Sequence, residues 1–451
     1  MTRDDGTPQP EKSILGDDTA VNELLSLPTN SALPRLGPGP AASLRTPADA
    51  KELIAGLAAE PWSNGKVGMW GVSWGGFNAL ITAMDRPPAL KAVLAAHASD
   101  ALFHDDIHYV DGILHVDEYQ LSIDHHNALP ASPGYALDAA YFRDRFERRP
   151  WLFTYLANQR DGAFWRGKSL RFDCSKVAVP VYLIGGLLDS YRDTVPRLLA
   201  CLKVPVKAEL GPWNHAWPDN GEPGPNYEWR RQAARWFKHW LAGEENGVSA
   251  EPRLVYFARD GHAPDAALKT LPGRWVGGDW PIKGGRIEVL YPGAGGLAPN
   301  PPAGGAAKLT HRPEAGFEAG YYWGELTGDQ AASDAKSLVF DTPPLETDLE
   351  IAGLPKVKLE ASSWAPLAHW VARLEDVAPD GASALVTGAA LNGSQRRSRL
   401  APETLVPGEA GAFDLDLHFT TWRFSKGHRI RLALANGSFP MLWPTPEPVS
   451  S

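Results

Sequence analysis

A serine flanked by glycines, Gly71-Val72-Ser73-Trp74-Gly75, stands between an apolar run, Lys66-Val67-Gly68-Met69-Trp70, and a helix-like run from Phe77 to Met84. A serine hydroxyl becomes a nucleophile when a tight strand-to-helix turn lifts it clear of a sheet and a neighbouring base takes its proton. Glycines on both sides let such a turn pack closely. The helix that follows aims N–H groups and the positive end of its dipole at developing negative charge. Ser73 is therefore the candidate nucleophile and the Trp74 N–H a candidate oxyanion donor. The competing reading is a glycine-rich turn whose serine only caps the helix. With 44 glycines in 451 residues, the five-residue pattern does not decide by itself.

A serine nucleophile needs a base and a carboxylate that orients the base, and in sheet-based hydrolases these follow in the chain order Ser, Asp, His. Asp189 lies just beyond an apolar run ending in Ile184-Gly185-Gly186, and His215 lies in Gly211-Pro212-Trp213-Asn214-His215, just beyond the next run. Loops at the carboxyl ends of neighbouring parallel strands share one rim, so the three side chains can converge. Taken singly, Asp189 also fits a turn or helix cap, a role open to Asp193 too, and His215 fits a loop histidine bound to a carbonyl. A second constellation is His104-Asp105-Asp106-Ile107-His108, with His97, His115, His125 and His126 nearby. It lacks the glutamate of a zincin helix and a second cluster at ligand spacing, so no metal is expected there. A pocket wall, or hydrogen bonds within an insertion, is the expected role.

The elements that would carry these residues alternate. Thr46 caps a helix from Ala48 to Ala59 with Leu53, Ile54 and Leu57 on one face. The strand Val67 to Gly71, the serine turn, its helix and the run Ala92 to Ala96 make one βαβ unit. From about Ser99 to Asp173 the spacing is helix-like with little strand signal, which reads as a helical insertion over the sheet. Strand and helix then alternate through Val179–Ile184, Tyr191–Leu202, Val206–Leu210 and Tyr227–Leu241, so the sheet should be parallel. Beyond Gly243 come short β-type runs separated by Gly/Pro turns: Arg253–Phe257, Arg286–Tyr291, Ser337–Phe340, Pro355–Ala361, His369–Leu374, Phe413–Phe419 and His428–Ala435. These read as an all-β sandwich. Residues 1–44 are rich in Pro, Gly, Ser and Asp and are expected to be poorly ordered. The expected division is thus 1–44, an α/β part over 45–245 with a helical cap near 100–172, and a β part over 246–451.

Bulk properties exclude several functions. The length of 451 residues implies more than one domain, and 43% hydrophobic with 22% charged residues is a globular composition. A net charge of −9 argues against a nucleic-acid partner. No apolar run reaches the ~20 residues that span a bilayer, and Met1-Thr2-Arg3-Asp4-Asp5 has no signal-peptide architecture, so the expected location is the cytoplasm, without membrane contact. Cys174 and Cys201 are expected as two reduced thiols. Aromatic-proline pairs such as Pro61-Trp62, Pro212-Trp213 and Trp443-Pro444 should build rigid loop walls. The expected partner is a small-molecule ester, amide or short peptide, and a homo-oligomer is compatible with the composition.

At this point the chain resembles the CocE/NonD hydrolases, a serine hydrolase family that includes cocaine esterase, X-Pro dipeptidyl-peptidases, α-amino acid ester hydrolases and cephalosporin acylases. Residues Pro61 to Gly76 look like its nucleophile block, Asp105-Asp106-Ile107-His108-Tyr109 resembles a block of one bacterial branch, and Gly211 to His215 is similar to its histidine block. Trp236-Phe237-Lys238-His239-Trp240-Leu241 resembles the helix that leads into its second domain. Running from about Pro47 to Pro448, the resemblance implies an α/β-hydrolase sheet with a helical cap and a carboxyl-terminal jelly roll. It also implies Ser73 as nucleophile, Asp189 as orienting acid, His215 as base, an acyl-enzyme pathway on an ester or amide, and no cofactor or metal. Whether the chemistry is that of a peptidase, an esterase or an acylase depends on the pocket in the cap. One departure sets a further expectation. Residues 1–45 hold no strand-like run and no Arg-Thr-Pro-Tyr type segment, whose tyrosine serves the family as second oxyanion donor; Arg45-Thr46-Pro47 continues with Ala48. Losing one donor costs about 10²- to 10³-fold in rate. The chain is therefore expected to be a truncated form of reduced activity, the alternative function being a non-catalytic binding or interaction module.

Overall fold

A computed structural model of the chain describes residues 47–105, 109–115, 138–139 and 151–447. The expectations for residues 1–45, and for His108, His125 and His126, lie outside the described residues. Helix α1 (Pro47–Ala59) leads to strand β1 (Val67–Val72), helix α2 (Trp74–Met84) and strand β2 (Leu90–Ala96). After the insertion come β5 (Val181–Gly186), helix α5 (Thr194–Cys201), β6 (Val206–Gly211) and helix α6 (Arg230–Phe237), which continues as one π-helical stretch, Lys238–Ala242. The insertion contributes a small hairpin of β3 (Tyr109–Val110) and β4 (Ile113–Leu114) and the short helices α3 (Trp151–Leu156) and α4 (Ala163–Arg166).

The central sheet has the order β1-β2-β5-β6-β7-β8, in which β7 is Leu254–Arg259 and β8 is Gly273–Gly278. Its first five strands are parallel and β8 runs antiparallel to β7. Alternation along the strands explains the layering. Val93, Ala95, Val181 and Leu183 pack with Phe77 and Leu80 of α2 and Leu198 of α5, whereas Ala92, Leu94, Tyr182 and Ile184 face Trp236 and Phe237 of α6. Both faces are covered, which is why these strands read as continuous apolar runs. The sequence reading placed Arg253–Phe257 in the β part. Instead this run is the core of β7, hydrogen-bonded to β6, so the parallel sheet extends past residue 245.

Among the described residues, the strands that follow β8 pair antiparallel. β11 (Leu338–Asp341), β18 (Arg429–Ala435), β14 (His369–Val377) and β15 (Ser383–Asn392) form one sheet in that order. β12 (Leu349–Gly353) pairs with β17 (Thr420–Phe424), and β13 (Lys356–Ala361) pairs with β16 (Gly411–Asp416). The run Arg286–Tyr291 is a strand in the sequence reading only: Ile287 is 94% exposed and Val289 56%, and the chain enters a strand at Tyr291, in β9 (Tyr291–Gly293), paired with β10 (Gly296–Ala298).

The two cysteines also correct the sequence reading. Cys174 and Cys201 form a disulfide with Cα atoms 5.9 Å apart. Cys174 lies in the turn before β5 and Cys201 closes α5, which folds back over that turn; their separation of 27 residues gives no hint of this meeting. No helix among the described residues is long and apolar enough to cross a membrane.

Candidate active site

Ser73 sits between β1 and α2 with φ 55° and ψ −125°, a strained conformation for a residue with a side chain. Its amide donates to Ala96 O at 2.9 Å, and its carbonyl accepts from Phe77 N at 2.9 Å, so the turn is tied to β2 and to its own helix. Trp74 is the first helical residue, at the end of α2 where N–H groups point out of the helix. The two flanking glycines are not equivalent. A Cβ on Gly71 would lie 2.5 Å from Gly75 C, whereas a Cβ on Gly75 would meet nothing within 4 Å.

Asp189 and His215 come from the loops after β5 and β6, on the same rim as Ser73. Leu187 N donates to Gly211 O at 2.8 Å and Leu188 N to Trp213 O at 3.1 Å, which binds the two loops together. Trp213 is fully buried and donates its indole N–H to Pro225 O at 3.0 Å, anchoring the segment that presents His215; Trp62 and Trp443 of the other aromatic-proline pairs are half exposed. The outcome is a 3.0 Å hydrogen bond from His215 Nδ1 to Asp189 Oδ1. A chain of ring contacts links this pair to the serine turn: Trp74 packs on Phe77, Phe77 on Tyr191 and Tyr191 on His215, with centroids 5.2, 5.2 and 5.4 Å apart.

Burial alone would favour the neutral carboxyl, but the charges of His215 and His97 and the hydrogen bonds from both outweigh it, and Asp189 is held well below the usual carboxylate range. For His215, burial works to lower the pKa, while the negative charge and hydrogen bond of Asp189 raise it above the ordinary imidazole value. A neutral imidazole with its Nδ1 proton fixed on a carboxylate offers Nε2 as an acceptor. That is the state a general base requires.

His97 was grouped by the sequence reading with the histidines of the insertion. It stands instead at the end of β2, and its Nδ1 donates to the second oxygen of Asp189 at 2.7 Å. The overlooked signal is positional: His97 follows the apolar run Ala92–Ala96 directly, as Ser73 follows β1. Of the remaining cluster, His104 is half-buried with its pKa driven well down by desolvation, and His115 is bonded through Nε2 to Tyr321 O at 2.9 Å and stacked on Tyr322. Asp105 pairs with Arg197. Among the described residues, the group with ligand atoms gathered closely enough to hold a metal, within 4.8 Å, is His97, Asp189 and His215. Both oxygens of that carboxylate already accept imidazole N–H groups, so an ion would have to break both bonds. Beside the pair lies a cavity of about 320 Å³, bounded by His215, Glu222, Leu268, Tyr322, Glu325 and Leu326; Ser73 is not part of its lining.

Comparison with known proteins agrees with this architecture. A family model described as X-Pro dipeptidyl-peptidase (S15 family) matches residues 40–217, and one described as X-Pro dipeptidyl-peptidase C-terminal non-catalytic domain matches residues 246–450. Together the two models cover most of the chain, and they support the CocE/NonD resemblance carried by its motifs. It is similar to a putative serine esterase of Mycobacterium bovis, 29% identical over 307 residues, a match that takes in 60% of this chain and 46% of the relative, so about half of that protein's length is represented. It is also similar to the cocaine esterase of a Rhodococcus species, 22% identical over 87% of this chain and 76% of the relative. Its fold matches an aminopeptidase from a marine sediment Thaumarchaeota archaeon with a TM-score of 0.70 at 24% identity, covering 91% of this chain and 76% of that one. The fold is therefore that of the CocE/NonD members, an α/β-hydrolase sheet with a carboxyl-terminal β domain.

Proposed function

We propose that the chain is a serine hydrolase acting through an acyl-enzyme on an ester or amide of a small molecule or short peptide. The observation that carries this is the 3.0 Å bond between His215 and Asp189 on the same sheet rim as a serine held at positive φ. In this reading His215 Nε2 takes the Ser73 hydroxyl proton as Oγ attacks the carbonyl carbon, and the Trp74 N–H donates to the oxyanion. Collapse of the tetrahedral adduct passes that proton to the leaving group and leaves Ser73 acylated. Water, deprotonated by His215, then releases the acid and restores the serine. Asp189 keeps the Nδ1 proton in place throughout.

The hydrolase names carried by the relatives support the enzyme over the binding-module alternative. The reduced-activity expectation rests on residues 1–45, which lie outside the described residues. A cytoplasmic location, the expectation from sequence, stands against the Cys174–Cys201 disulfide, since reducing compartments keep thiols free. The decisive experiment combines burst kinetics on an activated ester with stoichiometric labelling by a fluorophosphonate. Both should vanish in Ser73→Ala; turnover by that variant at the wild-type rate would sink the reading.

A further inference from the structure

Asp189 is shared by two imidazoles, and only one of them belongs to the hydrolytic group assigned above. His215 is 41% exposed at its side chain and takes Oδ1; His97 has no side-chain exposure and takes Oδ2 at 2.7 Å. A carboxylate accepts and does not donate, so each Nδ1 must carry its proton for both bonds to form. The two rings meet edge to face with centroids 5.3 Å apart.

His97 is also fastened from both sides. Its amide donates to Ile184 O of β5 at 2.8 Å, and the residue before it, Ala96, accepts the Ser73 amide. Its backbone adopts φ 47°, a left-handed conformation that is uncommon for a residue with a side chain, although histidine tolerates it better than most. Nε2 is buried and has no hydrogen-bond partner. A histidine retained to satisfy the core would pair both nitrogens, whereas this one spends its only side-chain hydrogen bond on the orienting acid.

We propose that His97 is a positioning residue for hydrolysis: its Nδ1–H locks Oδ2 of Asp189 so that Oδ1 is held toward His215. The proposal rests on the assignment of Ser73, Asp189 and His215 above. Without the lock Oδ2 loses its partner and the carboxylate is held at Oδ1 alone, by His215 at 3.0 Å and by a longer 3.5 Å contact from Ser190 Oγ, so that its unshared charge falls on His215. The other charged or titratable groups on this loop are turned elsewhere or bound otherwise. Arg192 donates to the main-chain carbonyl of Asp189 and not to its carboxylate, and Asp193 is paired with His418.

The test compares His97→Leu with His97→Asn, two side chains of the same shape of which only asparagine keeps a donor where Nδ1 stands. In His97→Leu, kcat should fall by about 10- to 100-fold, the range covered by one charge-assisted hydrogen bond, with KM unchanged. The acid limb of its kcat/KM profile should move to higher pH. His97→Asn should stay near wild type on all three measures. A wild-type rate and acid limb in His97→Leu, or an equal loss in both variants, would overturn the proposal. Should His97→Leu not fold, wild-type protein carrying ¹⁵N-histidine gives the answer directly. Low-field Nδ1–H signals from both His97 and His215 are expected, and an unprotonated His97 Nδ1 overturns the assignment. Hydrolysis that survives Ser73→Ala removes the underlying function, whereas Ser73-dependent hydrolysis indifferent to His97 removes this inference alone.

Discussion

Replacing Gly71 by alanine tests whether the serine turn is held by backbone contact. The added Cβ would stand 2.5 Å from Gly75 C, 2.6 Å from its Cα and 2.8 Å from its O. An ordinary carbon–carbon contact is about 3.5 to 4.0 Å, so the two sides of the turn must part by roughly 1 Å. All three neighbours are backbone atoms, and no flexible side chain can yield in their place. Ser73 lies between the two glycines and must move with them. Overpacking of this kind costs about 1–3 kcal/mol of stability, and a 1 Å misplacement of a reacting group costs on the order of 10²-fold in rate. Gly75→Ala is the matched control, because its Cβ enters open space and its φ is not positive. Thermal melting and kcat/KM on an activated ester, measured side by side, should show Gly71→Ala impaired on both and Gly75→Ala within about twofold of wild type on the rate. Equal behaviour of the two variants would refute the packing argument and leave the glycine pair as a composition effect.

Asp189→Asn should lower kcat by about 10⁴-fold, because an amide can face His215 with a donor and so favour the wrong tautomer; single-turnover acylation that slows less than tenfold would contradict this. Since Asp189 raises the His215 pKa, and protonated His215 cannot accept the serine proton, kcat/KM should climb with pH through a pKa above the ordinary imidazole value of about 6.5. His418 lies between Asp193, with Nδ1 to Oδ2 at 2.9 Å, and Asp111, with Nε2 to Oδ1 at 3.1 Å. Burial opposes its charge, but the two carboxylates push its pKa up to about 10. A folded-state pKa raised in this way stabilises fully below the unfolded value near 6.5, and the contribution fades as pH rises toward 10. Urea unfolding of wild type against His418→Gln should therefore show a gap that narrows across that window. Opening the Cys174–Cys201 bond, which spans 27 residues, should cost about 3–4 kcal/mol on the chain-entropy account, read from denaturant midpoints with and without reductant.

The legible parts of this molecule are those whose signal is local. Five residues and their flanks mark Ser73 as the candidate nucleophile, and the rule that loops at strand ends share a rim names Asp189 and His215 as candidate partners, which meet at 3.0 Å. Strands with apolar runs or alternation, such as β5 and β13, were visible for the same reason. β15 was not. Ser383–Asn392 is built of Ala, Gly, Ser and Thr with few large residues, and nearly all of it is buried on both faces, so no alternation marks it. β8 is half glycine and mostly exposed, and only its pairing with β7 makes it a strand. The opposite error occurred at Arg286–Tyr291, where alternating apolar residues point into solvent. His97 escaped because it was grouped with its sequence neighbours, when the register of β2 against β5 decides where it lies.

The β part takes a direct hand in shaping the site. Arg192, three residues after Asp189, is fully buried and donates to four main-chain carbonyls: its own loop at Asp189 O, then Phe419, Tyr322 and Trp323 of the β part. One residue on, Asp193 accepts from Phe419 N at 2.7 Å and from His418 Nδ1 at 2.9 Å. Burying a guanidinium is costly, and burial alone pulls its pKa down here. Such a group is tolerable only because every bond it makes is charge-assisted, each contributing about 1.5–3 kcal/mol. Removing the β part would leave that cation with Asp189 O as its remaining acceptor and the Asp193 carboxylate with Arg197 at 3.8 Å, both under-paired on the loop that carries Asp189. Asp189 is therefore fixed from two directions, by His97 at the tip of β2 and by the β part through Arg192 and Asp193. A parallel sheet supplies the rim, but an acid at the start of a loop stays in register only if the loop is nailed down beyond it. In this chain the nails are main-chain carbonyls about 130 and 230 residues away, a dependence that neither the α/β segment nor the β segment reveals when read alone.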